Sequence, residues 1–225
     1  MLMALNGGTM KELNGKSRMI RLKVWGDNAC FTRPEMKVER VSYDVMTPSA
    51  ARGILEAIIW KPAIRWHVAQ IDVLKPIRWE SVRRNEVGCV MSPRTQHLLI
   101  EEQRQQRAGL FLRDVAYTIH AWLELTDKAG PEDSIIKFQE MFLRRAEKGQ
   151  TFHRPYLGCR EFAAHFEPVF HDQPSPEPIE ETRELGYMLH DMDYTGQSPT
   201  AHFFRASMGA GRVKVPPFKS GEVWS

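Results

Sequence analysis

Hydrophobic and polar residues alternate most cleanly in two places. From Met19 to Gly26, Ile20, Leu22 and Val24 interleave with Arg21, Lys23 and Trp25, the two-residue period of a strand with one buried face. Val115, Tyr117, Ile119, Ala121, Leu123 and Leu125 repeat that period and predict a second, longer strand. Between them, Ile64, Trp66 and Val68 alternate with Arg65 and His67, and a separate apolar stretch runs from Ile71 to Ile77.

Two segments change to a helical period. Residues 47–60 open with Thr47, a good N-cap, and Pro48, suited to the first helical position. Ala51, Ile54, Leu55 and Ile58 share one face there, and Pro62 stops the run. The second helix is expected over Ser134–Lys148, capped by Asp133 and stopped by Gly149. Ile135, Phe138 and Phe142 form its apolar stripe, while Lys137, Arg144 and Lys148 make a basic ridge in a separate sector. Leu185–Asp191, His202–Ser207 and Arg212–Val215 then predict a strand-rich tail, preceded by an acidic, proline-bearing loop. Val82 to Arg107 is polar, arginine-rich and without period, and is expected to be a long loop or a pair of loops.

The order strand, helix, strand, strand, helix, strand-rich tail predicts an α+β protein. Its core is expected to be ferredoxin-like (βαββαβ) over residues 19–160, with a C-terminal β-rich appendage over 161–225. Residues 1–18 are weakly patterned and are expected to be a flexible extension, or to precede a true start at Met19.

Composition narrows the class. With 42% hydrophobic and 26% charged residues, the chain has the profile of a folded globular protein. No apolar run approaches the ~20 residues of a spanning helix. Cys30, Cys89 and Cys159 share no metal-ligand spacing and leave at least one thiol unpaired, which suits a reducing cytoplasm. The net charge of +3 conceals an asymmetry. Residues 21–107 carry 15 basic and 10 acidic side chains, whereas residues 161–225 carry 5 and 10. A polyanion would meet the basic side only, although ordinary solvated faces would give the same arithmetic.

The common enzyme signatures are absent: no GXXXXGK, GXGXXG, HEXXH, paired CXXC or GXSXG occurs, so no metal or cofactor is implied. Three basic constellations remain. Arg33, Lys37 and Arg40 lie near Phe31 and Tyr43, a mixture that can grip phosphates and stack bases or simply be a solvated loop. Arg83, Arg84, Arg94, Arg104 and Arg107 suit planar, bidentate phosphate contact or, equally, a solvated surface. The third is the ridge that begins at Lys137.

The block GDNACFTRPEMKVERVSYDVMTPSAARGILEAIIWKP, followed by VLKPIRW, SVRRNEV, YLGCREF and LGYMLHDMD, closely resembles the CRISPR-associated RAMP-superfamily proteins of the type I-C (Dvulg) subtype. The resemblance runs from about Met19 to about Arg205. It implies a metal-independent, cofactor-free endoribonuclease that cuts precursor CRISPR RNA within each repeat by attack of a 2′-hydroxyl on its own phosphate. It also implies retention of the 5′ handle within a surveillance complex that contains a repeated backbone subunit and a large subunit. Handle binding is expected to draw on Arg33, Lys37, Arg40, Lys61, Arg83, Arg84 and Lys137.

Carried over residue by residue, the family's pattern is only partly present. The family's base, a tyrosine or histidine before Trp-Lys-Pro, falls at Ile59, ahead of Trp60-Lys61-Pro62. Its Lys-His pair, counted back without gaps from Gly158, falls at Lys137 and Phe138. Lys137 therefore keeps a catalytic role, and two of three positions are substituted. A cap that binds the handle without cutting, or relocation of the base to His67, Tyr43 or His153, are the readings this leaves open.

Overall fold

The computed structural model describes residues 15–36, 38–92, 97 and 99–225. Along the chain these form β1 (Ile20–Ala29), β2 (Arg40–Val41), α1 (Pro48–Ile58), β3 (Ile64–Val73), β4 (Trp79–Val87), β5 (Arg104–Leu125), α2 (Ile135–Glu147), β6 (His165–Val169), β7 (Arg183–Asp193), β8 (Thr200–Gly209), β9 (Arg212–Lys214) and β10 (Val223–Trp224). One sheet takes all ten strands in the order β10-β8-β9-β3-β5-β1-β6, with β2 and β4 on β5 and β7 on β8. The architecture is a sheet-dominated α+β fold with two helices among the described residues. None of its helices is long and apolar enough to cross a membrane.

The alternation seen in the sequence becomes one buried face. Ile20, Leu22 and Val24 of β1, Ile64 and Trp66 of β3, and Tyr117, Ile119 and Leu123 of β5 are all buried. The helices cover that face, and Trp66 meets Phe142 of α2 edge-on at 4.8 Å. In α1 the Thr47 hydroxyl accepts the Ala50 N–H at 3.3 Å, as expected of its cap. The helix ends at Ile58, and Ile59 is already extended, short of the stop expected at Pro62. At α2 the cap is Ser134, whose Oγ accepts the Lys137 N–H at 3.3 Å. Asp133 turns back instead, accepting the Gly130 N–H at 3.0 Å.

β3 explains a break in the period. Its first half pairs Val68 with Ala121, and its second pairs Gln70 with His120, so Ala69 is an extra residue in a bulge. The bulge absorbs that residue, so Trp66 and Ile71, five positions apart, both face the core although an unbulged strand of this length would send one outward. Ile64–Val68 and the apolar stretch from Ile71 thus belong to one strand, which ends at Val73.

The long loop expected over Val82–Arg107 is not there. β4 pairs residue for residue with the first half of β5, from Trp79↔Leu112 to Val87↔Arg104, and the two make an arm. Side chains on both faces of β4, and of β5 from Arg104 to Ala108, are wholly or partly exposed, so no apolar alternation marks these stretches in the sequence; Phe111 and Leu112 at the inner end of the arm are buried. Asp114, at φ +53, separates this half of β5 from the half that runs through the core. Lys75 at 2.5 Å and Arg78 at 3.6 Å hold its carboxylate there.

Three of the expected tail strands form as β7, β8 and β9, and β6 is an addition that the sequence pattern did not mark. Of the segment 1–18, residues 1–14 lie outside the described residues. Ser17 pairs with β5, its N–H donating to the Leu123 carbonyl at 2.9 Å.

Truncation of Phe142, which is fully buried, should cost about 3–5 kcal/mol. Urea unfolding of Phe142→Ala at unchanged slope checks it. Stability should also fall as pH drops below about 6.5, because burial lowers the affinity of His67 and His190 for protons. The unfolded chain then binds more protons than the folded one, so acid favours unfolding through that window. Melting temperature measured from pH 8 to 5 would refute this if it stayed flat.

Candidate nucleic-acid interface

The arm carries one charged network. Arg84 on β4 donates to Glu161 through both terminal nitrogens, at 2.6 and 3.0 Å, and lies 4.8 Å over the Phe111 ring. Arg40 of β2 reaches the same carboxylate at 3.3 Å and Glu86 at 3.6 Å. Arg107 shares Glu86 at 3.6 Å. The Arg84 guanidinium holds the Glu161 carboxyl below the usual carboxylate range. Arg83, on the other face of β4, is exposed and makes no ion pair with a described residue. Arg33 lies 4.5 Å over the Tyr43 ring and pairs with Asp44 at 3.1 Å, which also receives Arg183. Lys37 lies outside the described residues.

Glu161 is placed by the turn that precedes it. The Cys30 N–H donates to the Leu157 carbonyl at 3.0 Å, and the Leu157 N–H to the Phe162 carbonyl at 2.7 Å. Gly158 sits at φ +83, where a Cβ would lie 2.0 Å from the Cys30 carbonyl oxygen, so glycine is required. Cys159 then lies with Cys30 around the Thr32 hydroxyl, at 3.7 and 3.5 Å. The interaction between the two thiols draws the pair apart, Cys30 upward and Cys159 downward to about 6, while burial raises both and Arg40 lowers both.

A second cluster lies around Asp133. Its carboxylate accepts Lys137 Nζ at 3.1 Å, and the Gly130 amide, Lys137 and the more distant Lys61 all hold it in the charged form. Lys61 and Lys137 are both exposed; Lys137 makes the ion pair with Asp133, and Lys61 acts on that carboxylate only from a distance. Ile59 and Phe138 are core residues, each 3% exposed, and neither offers a titratable group. The Ile59 carbonyl accepts the Trp66 indole N–H at 3.2 Å, while Trp60 next to it is 61% exposed.

The three candidate replacement bases separate. His67 alternates with Trp66 on β3 and so faces away from the helices. There it stacks on Trp122 at 4.0 Å and pairs with Glu124 at 2.9 Å. Tyr43 is buried, and burial pushes its phenol up. His153 is exposed and follows Phe152, whose N–H donates to the Ala57 carbonyl at 2.7 Å. That bond places His153 at the end of α1 that leads into Ile59 and Lys61.

Sequence reasoning picked the arginines and missed their carboxylates. Glu161 stands inside the YLGCREF block, but only the fold shows that it meets Arg84 from a strand 77 residues earlier. Among the described residues no group of three or more His, Cys, Asp or Glu could hold a metal ion.

The family described as CRISPR-associated protein (Cas_Cas5), in its Cas5d form, matches residues 19–216. The chain is 53% identical over 220 residues to the CRISPR pre-crRNA endoribonuclease Cas5d of Mannheimia succiniciproducens, covering 91% of this chain and 97% of that protein. It is 47% identical over 195 residues to the protein of that name from Thermus thermophilus, covering 87% and 82%. A crystal structure of a CRISPR-associated protein superposes with a TM-score of 0.71 at 22% identity, over 93% of this chain and 98% of that one. That likeness is one of fold.

Glu161 neutralises two arginines on the arm. Glu161→Gln should therefore raise the affinity for an RNA polyanion and steepen its salt dependence by about 1 in log–log slope. Titration at several salt concentrations decides it; an unchanged slope would remove Arg40 and Arg84 from the phosphate path.

Proposed function

The chain belongs to the Cas5d family of CRISPR-associated proteins, and on that footing we propose that it is the type I-C subunit that cuts precursor CRISPR RNA within each repeat and keeps the 5′ handle. The observation that carries this reading is 53% identity, over nearly the whole chain, to a protein named as a pre-crRNA endoribonuclease. The bound RNA, a backbone subunit repeated along it and a large subunit are its partners, and the cytoplasm is its setting. A ferredoxin-like core is part of the same reading. It is supported by the order β6-β1-β5-β3, antiparallel throughout, with α1 between β1 and β3 in sequence and α2 between β5 and β6.

The reaction is a transesterification. The 2′-oxygen loses its proton to a base and bonds to the adjacent phosphorus. The bond to the 5′-oxygen breaks, and that oxygen takes a proton, leaving a 2′,3′-cyclic phosphate and a 5′-hydroxyl. Base, phosphorane-stabilising cation and acid are the three requirements. Lys137 is the cation, ion-paired to Asp133, and Lys61 is assigned to the handle. Handle phosphates are assigned to Arg33, Lys37, Arg40, Arg83 and Arg84. The carboxylates that hold three of these arginines give way as phosphates replace them.

A second reading is favoured by one observation. Ile59 and Phe138 fill core volume where the family places its base and histidine. With neither group present the chain would cap the handle without cutting. Among the replacement bases His153 has the placement, at the same end of α1 as Lys61.

Cleavage of a cognate repeat RNA in EDTA separates the two readings. The natural chain should cut, and Lys137→Ala should slow it by about 10²–10³-fold, with His153→Ala also impaired. Tight binding without a cut, and cutting gained in Ile59→Tyr, would establish the cap instead.

A further inference from the structure

The last quarter of the chain is acidic in sum, but three of its five basic residues meet at one place. Arg205 and Ser207 on β8 point away from the buried Phe204, Ala206 and Met208. Arg212 and Lys214 flank the buried Val213 on β9 and emerge on the same side. Trp224 of β10 pairs opposite Phe203 and stands beside them, 43% exposed. Together with one carboxylate, Glu222, they line a groove of about 740 Å³ on the side of the sheet that the helices leave uncovered.

The charges in this groove are available. Arg212 and Lys214 make no ion pair with a described residue. Asp72, which pairs opposite Arg212, is already held by His120 at 2.8 Å and by Gln70 at 2.6 Å. Arg205 has only a distant partner, Glu184 at 3.7 Å, and both of these side chains are about 70% exposed. Trp224 meets Tyr187 edge-to-face, 5.8 Å between centroids. An exposed indole beside three cations and a hydroxyl has the chemistry to stack an unpaired base and hold its phosphates. A paired base keeps its faces inside the duplex and could not use the indole.

We propose that this groove binds an unpaired run of nucleotides continuous with the RNA that the protein holds, apart from the Arg40–Arg84 network and the Lys137 cluster. The proposal rests on the RNA-binding reading above, and it adds a second contact that reads strandedness.

The test compares a repeat hairpin with the same hairpin carrying a short unpaired extension, each titrated with the full chain. The extension should tighten binding. Trp224→Ala should remove roughly 5- to 100-fold of that gain. Arg212→Gln combined with Lys214→Gln should lower the log–log salt slope for the extended RNA by about 1.4, and none of these changes should alter binding of the bare hairpin. If the hairpin binds normally but the extension adds nothing, or the variants keep its full effect, the groove is not the site. Failure of the natural chain to bind the hairpin at all would instead refute the RNA-binding reading. Free single-stranded DNA that abolishes the gain at lower concentration than RNA of the same sequence would overturn the assignment to RNA.

Discussion

One backbone contact holds the charged surface in place. Gly158 lies against the Cys30 carbonyl so closely that no side chain fits between them, and the turn from Leu157 to Phe162 is closed by hydrogen bonds on either side. This contact fixes Glu161 over the arm, and Glu161 fixes Arg84 and Arg40. Exposed ion pairs are individually worth little. Here several share two carboxylates that a rigid turn and a paired strand have already positioned, so little side-chain freedom remains to be lost on pairing. The order of dependence runs from a glycine, through a turn, to a set of guanidinium groups.

That order also explains what could be read from the sequence. Where one face of an element is buried and the other wet, as in β1 and both helices, the residue pattern carried the information and the elements lie close to where it placed them. The outer part of the arm carries none, because its side chains are wholly or partly exposed on both faces. β3 read as two pieces because the bulge at Ala69 changes the period without ending the strand. The cap of α2 moved by one residue, since Asp133 found a nearer donor in Gly130. For the candidate site, Arg84 and Lys137 were visible as residue types. Their partners were not, because Glu161 and Arg84 are far apart in the chain.

Charge counted along the chain also misstates the charge a ligand would meet. Arg33, Arg40 and Arg84 each face a carboxylate, so the basic half of the sequence is less basic at its surface than its composition. The acidic tail shows the opposite, gathering Arg205, Arg212 and Lys214 on β8 and β9, where among the described residues only Arg205 has an ion-pair partner, the exposed Glu184 at 3.7 Å. An incoming polyanion must displace several partners in the first region and few in the second. The two regions should therefore differ in how quickly they engage a ligand as well as in how strongly.

The single extra residue in β3 has a bearing on which changes of length the chain can accept. Trp66 and Ile71 are five residues apart on β3 but oppose Leu123 and Ile119, four apart on β5, and the bulge absorbs the difference. Losing Ala69 would restore strict alternation and leave Trp66 and Ile71 on the core side, with Arg65 and His67 still on the other. Surface connections elsewhere can lengthen or shorten at small cost. At the bulge the loss of one residue keeps both faces of the strand as they were, whereas the same loss from β1, which has no bulge, would turn half of that strand to the opposite face.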